Sequence, residues 1–172
     1  MNDHHRLHLV CGPVGAGKTS YSYQLAEQSN GVVFSIDQWM AKLFQPDLNP
    51  EVDLKTMNPS WFSDRVDRCE SMIYETSSHI LSAGGVVILD LGFIRQARRD
   101  TAYAFASNQN VQARLHYVMA EQAVRQKRVE HRNAERGQTY AVAITPAMFA
   151  FAESMFQAPN EQELASATVV RT

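Results

Sequence analysis

Apolar residues in this chain gather into short runs, separated by longer stretches in which they recur every three or four positions. Leu7, Leu9, Val10 and Cys11 make the first run, and Tyr21 to Gln28 belongs to a helix that Asn30-Gly31 stops as a C-cap would. Val32-Val33-Phe34 reads as a short buried strand, and Ser35-Ile36-Asp37 carries the chain off its end. Gln45 to Pro59 holds three prolines and two Asn-Pro pairs, the mark of an irregular excursion. Asn58-Pro59 has the form of an N-cap followed by proline at the first helical position. The helix it opens is expected to run to about Ser82, with Phe62, Val66, Cys69, Ile73 and Ile80 facing the core. Gly84-Gly85 ends it, and Val86 to Leu91, the most apolar run, reads as a central parallel strand covered on both faces.

The same alternation continues. A helix from about Arg95 to Ser107 stops at Asn108-Gln109-Asn110, Val111 to Val118 reads as a strand, and Glu121 to Arg136 as a charged helix ended by Gly137. Thr145-Pro146 repeats the cap-plus-proline signal and opens a helix with Met148, Phe149, Ala152, Met155 and Phe156 on one side. Pro159 closes it, and Ala167 to Val170 supplies a last strand. Strands alternating with helices imply an α/β domain with a parallel sheet flanked by helices. No repeat or composition break divides it, so residues 1–172 are read as one domain.

Size and composition fit that picture: 172 residues with 45% hydrophobic content suffice for one full core. No apolar run approaches the ~20 residues of a membrane span, and none near the start resembles a secretory signal. Cys11 and Cys69 are far apart and form no C-x-x-C motif; both read as packing residues, which fits a reducing cytoplasm. His4, His5 and His8 lack a carboxylate or cysteine partner in sequence and are not read as a metal site. The net charge of −2 argues against a protein devoted to nucleic acid.

Chemistry enters at Gly12-Pro13-Val14-Gly15-Ala16-Gly17-Lys18-Thr19, a P-loop pattern in the strand–loop–helix context it requires. Its glycines let several backbone N–H groups turn inward together, and the following helix adds the positive end of its dipole. Lys18 can reach the β- and γ-phosphates, the Thr19 hydroxyl can hold Mg²⁺, and Ser20 continues the phosphate-binding segment. The ligand this predicts is a nucleoside triphosphate.

Ligands of open parallel sheets lie at the carboxyl ends of the strands. Asp90, ending Val-Val-Ile-Leu, is placed as a Walker B acid would be, with a helix cap or loop hydrogen bond as the alternative. Asp37 is placed to orient an acceptor hydroxyl and accept its proton, the alternative being a cap for a helix over Gln38 to Leu43. Late in the chain Arg125, Arg128, Arg132 and Arg136 are spaced by three, four and four and share a helical stripe. That suits a lid closing over phosphates, Arg128 and Arg132 being first choices for contact; a solvated face is the alternative.

Together, Gly12–Thr19, Ser-Ile-Asp37, Leu-Asp90 and the pattern from Arg125 to Arg136 resemble the AAA-domain, P-loop kinase-like ATP-binding proteins. Their relatives include chloramphenicol phosphotransferase, zeta toxin and the kinase domain of polynucleotide kinase. The resemblance implies a P-loop NTPase fold with a five-stranded parallel sheet, and ATP with Mg²⁺. It also implies transfer of the γ-phosphoryl to a hydroxyl, with the aspartate matching Asp37 as base. The leading expectation is therefore a kinase of a small hydroxylated molecule, held near Trp39, Trp61, Arg65 and Arg68. A 5′-hydroxyl polynucleotide kinase would need a basic track with aromatic platforms, and Arg95, Arg98 and Arg99 are the only other dense basic cluster. An ATP-binding switch module that transfers nothing would need neither Asp37 nor an acceptor pocket.

Overall fold

The structure, a computed structural model, describes residues 5–44, 46, 59–135 and 143–172. Its elements run β1 (Leu7–Cys11), α1 (Lys18–Ser29), β2 (Val32–Ser35), α2 (Ile36–Phe44), α3 (Pro59–Ser82), β3 (Val87–Asp90) and α4 (Gln96–Asn108). Then come β4 (Ala113–Met119), α5 (Gln122–Glu135), α6 (Pro146–Met155), α7 (Glu161–Leu164) and β5 (Thr168–Arg171). The five strands form one parallel sheet in the order β2-β3-β1-β4-β5.

The central strands are apolar because both faces are covered. On one face Leu7, Leu9 and Cys11 meet Val87 and Leu89 beneath Cys69 and Ile73 of α3 and Ala102 and Ala106 of α4. On the other, Val10, Ile88 and Val118 pack against Tyr21 and Leu25 of α1. The same face buries His8, whose Nδ1 lies 2.9 Å from Nε2 of His116, and Tyr21 closes the row on His116 Nδ1 at 2.7 Å. His8 thus belongs to the sheet wall; His4 lies outside the described residues.

Cys11 and Cys69 are buried, and loss of hydration pushes the Cys11 thiol up to about 11, as suits a packing residue. Three elements depart from expectation. Phe62, expected on the core-facing line of α3, is 53% exposed. At 24 residues α3 is about 36 Å long, roughly twice the reach of the strands, so its first turns overshoot the sheet. Met148 of α6 is likewise exposed, whereas Phe149 is buried. The third is α7, which has no counterpart in the expected elements and is opened by a capping box between Asn160 and Glu163. Asn58, the expected cap of α3, lies outside the described residues.

Candidate active site

The P-loop leaves the end of β1 and enters α1, whose N-cap is Gly17 with no side-chain cap. The loop is shaped by contacts that forbid side chains. A Cβ on Gly12 would stand 2.1 Å from the Val118 carbonyl oxygen. One on Gly15, where φ is +77°, would stand 2.6 Å from the carbonyl oxygen of Arg125. Pro13 and Ala16 are buried, Val14 is half-buried and Ser20 is exposed. Lys18 Nζ donates to the Pro13 carbonyl at 3.0 Å, which folds the ammonium over the loop.

The carboxylates arrive from the neighbouring strands. Ser35 of β2 is in register with Asp90 of β3, so Asp37, two residues further on, stands at the same sheet edge. Asp90 is buried, and the Thr19 hydroxyl donates to its Oδ2 at 2.8 Å. Burial raises the Asp90 pKa, and the negative charge of Asp37 adds to this; Lys18 and the Thr19 hydrogen bond act the other way. Asp37 is exposed in the first turn of α2, which starts one residue before it, so it is not the N-cap of that helix. Beyond Asp90 the chain turns through Gly92 and Phe93, both at positive φ. The buried Phe93 carbonyl accepts from Arg99 at 3.2 Å and from the Cys11 thiol at 3.5 Å, which fixes the strand end.

The arginine stripe divides. Arg125 is buried, its Nη1 donating to the Val14 carbonyl at 3.0 Å and its Nε to the Ala120 carbonyl at 3.0 Å. Both its terminal nitrogens also meet Glu153 of α6, at 2.6 and 2.7 Å. Arg125 therefore ties the P-loop backbone at Val14 to Glu153 of α6. Arg128 is exposed and donates to Thr172 Oγ1 at 2.8 Å, and that hydroxyl in turn donates to the Ala16 carbonyl at 3.0 Å. Arg132 is half-buried, with its Nε unpartnered. Among the described residues neither Arg128 nor Arg132 has a carboxylate partner. Arg136, Gly137 and the segment after them lie outside the described residues.

The other basic cluster is dispersed. Arg99 is wholly buried and held bidentately by Glu163, at 2.6 and 2.9 Å, while Arg98 pairs with Asp67 and Glu70. Sequence reasoning missed Glu153, Glu163 and Thr172. Of these only Glu163 carries a local signal, the Asn-x-x-Glu of its capping box. Trp39 packs edge-on against Phe34, with ring centroids 6.0 Å apart.

Comparison with known folds agrees with this architecture. A candidate kinase of Chloroflexus aurantiacus J-10-fl superposes with a TM-score of 0.71 at 18% identity, covering 99% of this chain and 89% of that one. Kti12 of Chaetomium thermophilum, solved in complex with ADP-AlF3, gives 0.67 at 15% identity over 96% and 88% of the two chains. A gluconokinase of Sinorhizobium meliloti 1021 gives 0.64 at 14% identity over 98% and 83%. At such identities these likenesses establish the fold. No curated protein sequence matches the chain. The sequence of residues 7–147 matches the AAA domain family, and the chain belongs to that family.

Proposed function

We propose that this protein is an ATP- and Mg²⁺-dependent phosphotransferase that moves the γ-phosphoryl group onto a hydroxyl of a small molecule. The observation that carries the reading is the Thr19–Asp90 hydrogen bond beside Asp37, at the edge of the sheet where the P-loop opens. Thr19 and Asp90 offer two oxygen ligands, one of them a buried carboxylate. This donor set suits Mg²⁺, which binds through one or two protein oxygens, waters and substrate phosphates. Bound there, the ion supplies neutralisation of phosphate charge.

The chain's own groups divide the remaining work. The P-loop N–H groups and the start of α1 hold the β-phosphate, and Lys18 swings from the Pro13 carbonyl to the phosphates. Arg128 and Arg132, which meet no carboxylate among the described residues, stabilise charge on the transferring phosphoryl. Asp37 takes the proton of the acceptor hydroxyl as its oxygen bonds to phosphorus and the bond to the ADP oxygen breaks.

A polynucleotide acceptor is disfavoured because, among the described residues, Arg98 and Arg99 are both occupied by carboxylates and do not offer their charge to a nucleic-acid backbone. The test is transfer from labelled Mg·ATP to a panel of polyols, sugar acids, nucleosides and 5′-hydroxyl oligonucleotides. Asp37→Asn should retain ATP affinity and lose about 10²–10⁴-fold in transfer. An unchanged rate removes Asp37 from the mechanism, and tight ATP binding with no transfer favours a switch module.

A further inference from the structure

We propose that Glu163 and Arg99 are positioning residues for the turn that follows Asp90, and so for the carboxylate offered to Mg²⁺, just as Glu153 and Arg125 hold the P-loop. The inference rests on the metal site proposed above.

Two arginines are buried among the described residues, Arg99 and Arg125, and they are built alike. Each guanidinium is clasped by both oxygens of one glutamate, Glu163 of α7 for Arg99 and Glu153 of α6 for Arg125. Each also turns its Nη1 to a backbone carbonyl in a loop at the carboxyl edge of the sheet. For Arg125 that carbonyl belongs to Val14 of the P-loop; for Arg99 it belongs to Phe93, three residues beyond Asp90. The stretch from α6 to α7 therefore grips both sides of the proposed site. Its middle is fastened to the same turn. The Gln157 N–H donates to the Ile94 carbonyl at 2.7 Å, and the Gln157 side-chain oxygen accepts from the Gln96 N–H at 2.9 Å. Arg99 closes the arrangement by donating to the carbonyls of Gln157 and Ala158, at 2.8 and 3.5 Å.

The turn is one that needs holding. Asp90 is the last residue of β3, paired in register with Ser35 of β2, whereas the register with β1 ends one residue earlier at Leu89. Beyond it Gly92 and Phe93 have φ of +81° and +44°, and Phe93 is a buried residue with a full side chain. L residues resist that conformation and keep it where their surroundings over-determine it. Here the Phe93 carbonyl takes two donors, Arg99 Nη1 and the thiol of Cys11, the residue before Gly12. At this one oxygen the strand leading to the P-loop, the turn after Asp90 and, through Arg99, α7 all meet. Arg98, adjacent in sequence, is partly exposed and joins α4 to Asp67 and Glu70 of α3. Groups behind a metal ligand fix its orientation, and their loss falls on the metal more than on the rest of the ligand.

The experiment titrates ADP into the full chain, once with Mg²⁺ and once with EDTA, at a temperature where circular dichroism shows every variant folded. The ratio of the two affinities measures what the metal adds. In the parent, Mg²⁺ should tighten ADP. Glu163→Gln, which removes the charge and one of the two oxygens that clasp Arg99, should shrink the ratio by about 10-fold and leave affinity in EDTA as in the parent. Gln157→Ala alters an exposed side chain, and should shrink the ratio by a smaller factor with the melting temperature unchanged. Glu161→Gln, an exposed carboxylate of the same short helix, should change neither affinity. A brace that serves stability alone would lower the melting temperature and leave the ratio where it was. Ratios equal to the parent's in both Glu163→Gln and Gln157→Ala, or an equal loss of affinity with and without Mg²⁺, overturn the proposal and leave the metal site standing. A parent whose ADP affinity ignores Mg²⁺ removes the metal site, and this inference with it.

Discussion

The guanidinium of Arg125 and the carboxylate of Glu153 meet through two parallel contacts of 2.6 and 2.7 Å behind the P-loop, and the same guanidinium holds the Val14 carbonyl. One ion pair thus joins α5, α6 and the loop expected to hold phosphate. Phe149, with its ring centroid 5.5 Å from the guanidinium carbon, covers the pair.

Removing one partner should therefore injure both stability and nucleotide binding. Glu153→Gln leaves a buried cation with a neutral acceptor, and Arg125→Met leaves the Val14 carbonyl without its donor. Each should cost about 3 kcal/mol in denaturant unfolding, the range for a broken buried pair. The double variant should cost less than the sum of the singles, because the second substitution removes a group already left unpaired. Strict additivity in the cycle would show that the two side chains do not act as a unit.

What the sequence disclosed and what it hid follow from how far each feature reaches along the chain. The strand–loop–helix around Lys18 is local, and so are the runs behind β1, β3 and β4; all three are found where their apolar residues place them. Asp37 and Asp90 reach one edge because parallel strands bring their ends together, which alternation already implies. The pairs Arg125–Glu153 and Arg99–Glu163 span 28 and 64 residues, and no spacing marks them. Hence the four-arginine stripe looked uniform, although the P-loop packed against one end of α5 buries the first arginine and leaves the next exposed. Arg98 and Arg99, adjacent in sequence, point about 100° apart on α4 and meet different helices. Phe62 shows the complementary failure: periodicity gives the face of a helix but not where the sheet beneath it ends.

The divided stripe sets a ranking among the arginines. Among the described residues Arg132 has an unpartnered Nε and no carboxylate, and Arg128 bonds the neutral Thr172 hydroxyl. Replacing Arg132 by Met should lower phosphoryl transfer by about 10²–10³-fold with little change in unfolding free energy, as for loss of one preorganised donor. Arg128→Met should lower transfer as well, and it also frees Thr172 from one side. Comparing single-turnover rates with urea midpoints checks the ranking. An Arg132→Met protein that transfers normally would return α5 to the solvated-face reading.

Asp90 gives a pH-dependent prediction whose sign can be worked out. Its carboxyl pKa is raised in the folded protein, chiefly by burial. A raised pKa means that the protonated form favours folding. That contribution is full below the unfolded value of about 3.9 and is lost as pH rises through the folded pKa. At neutral pH without metal, the buried charge is therefore a cost, eased by Lys18 and by the Thr19 hydroxyl. Asp90→Asn keeps an oxygen for that hydroxyl and removes the charge. The variant should be more stable than the parent at pH 7, and the two should converge towards pH 4. In the presence of Mg·ADP the order should reverse, because only the parent offers a carboxylate to the ion, and transfer by the variant should fall by about 10²–10³-fold. In the parent, Mg·ADP affinity should weaken on acidification through a window lying above the ordinary aspartate range. Melting temperatures at pH 4 and pH 7, with and without Mg·ADP, test all of this together. A variant less stable than the parent at pH 7 without metal would mean that the carboxylate's charge is stabilising there, and that Lys18 and Thr19 outweigh its burial.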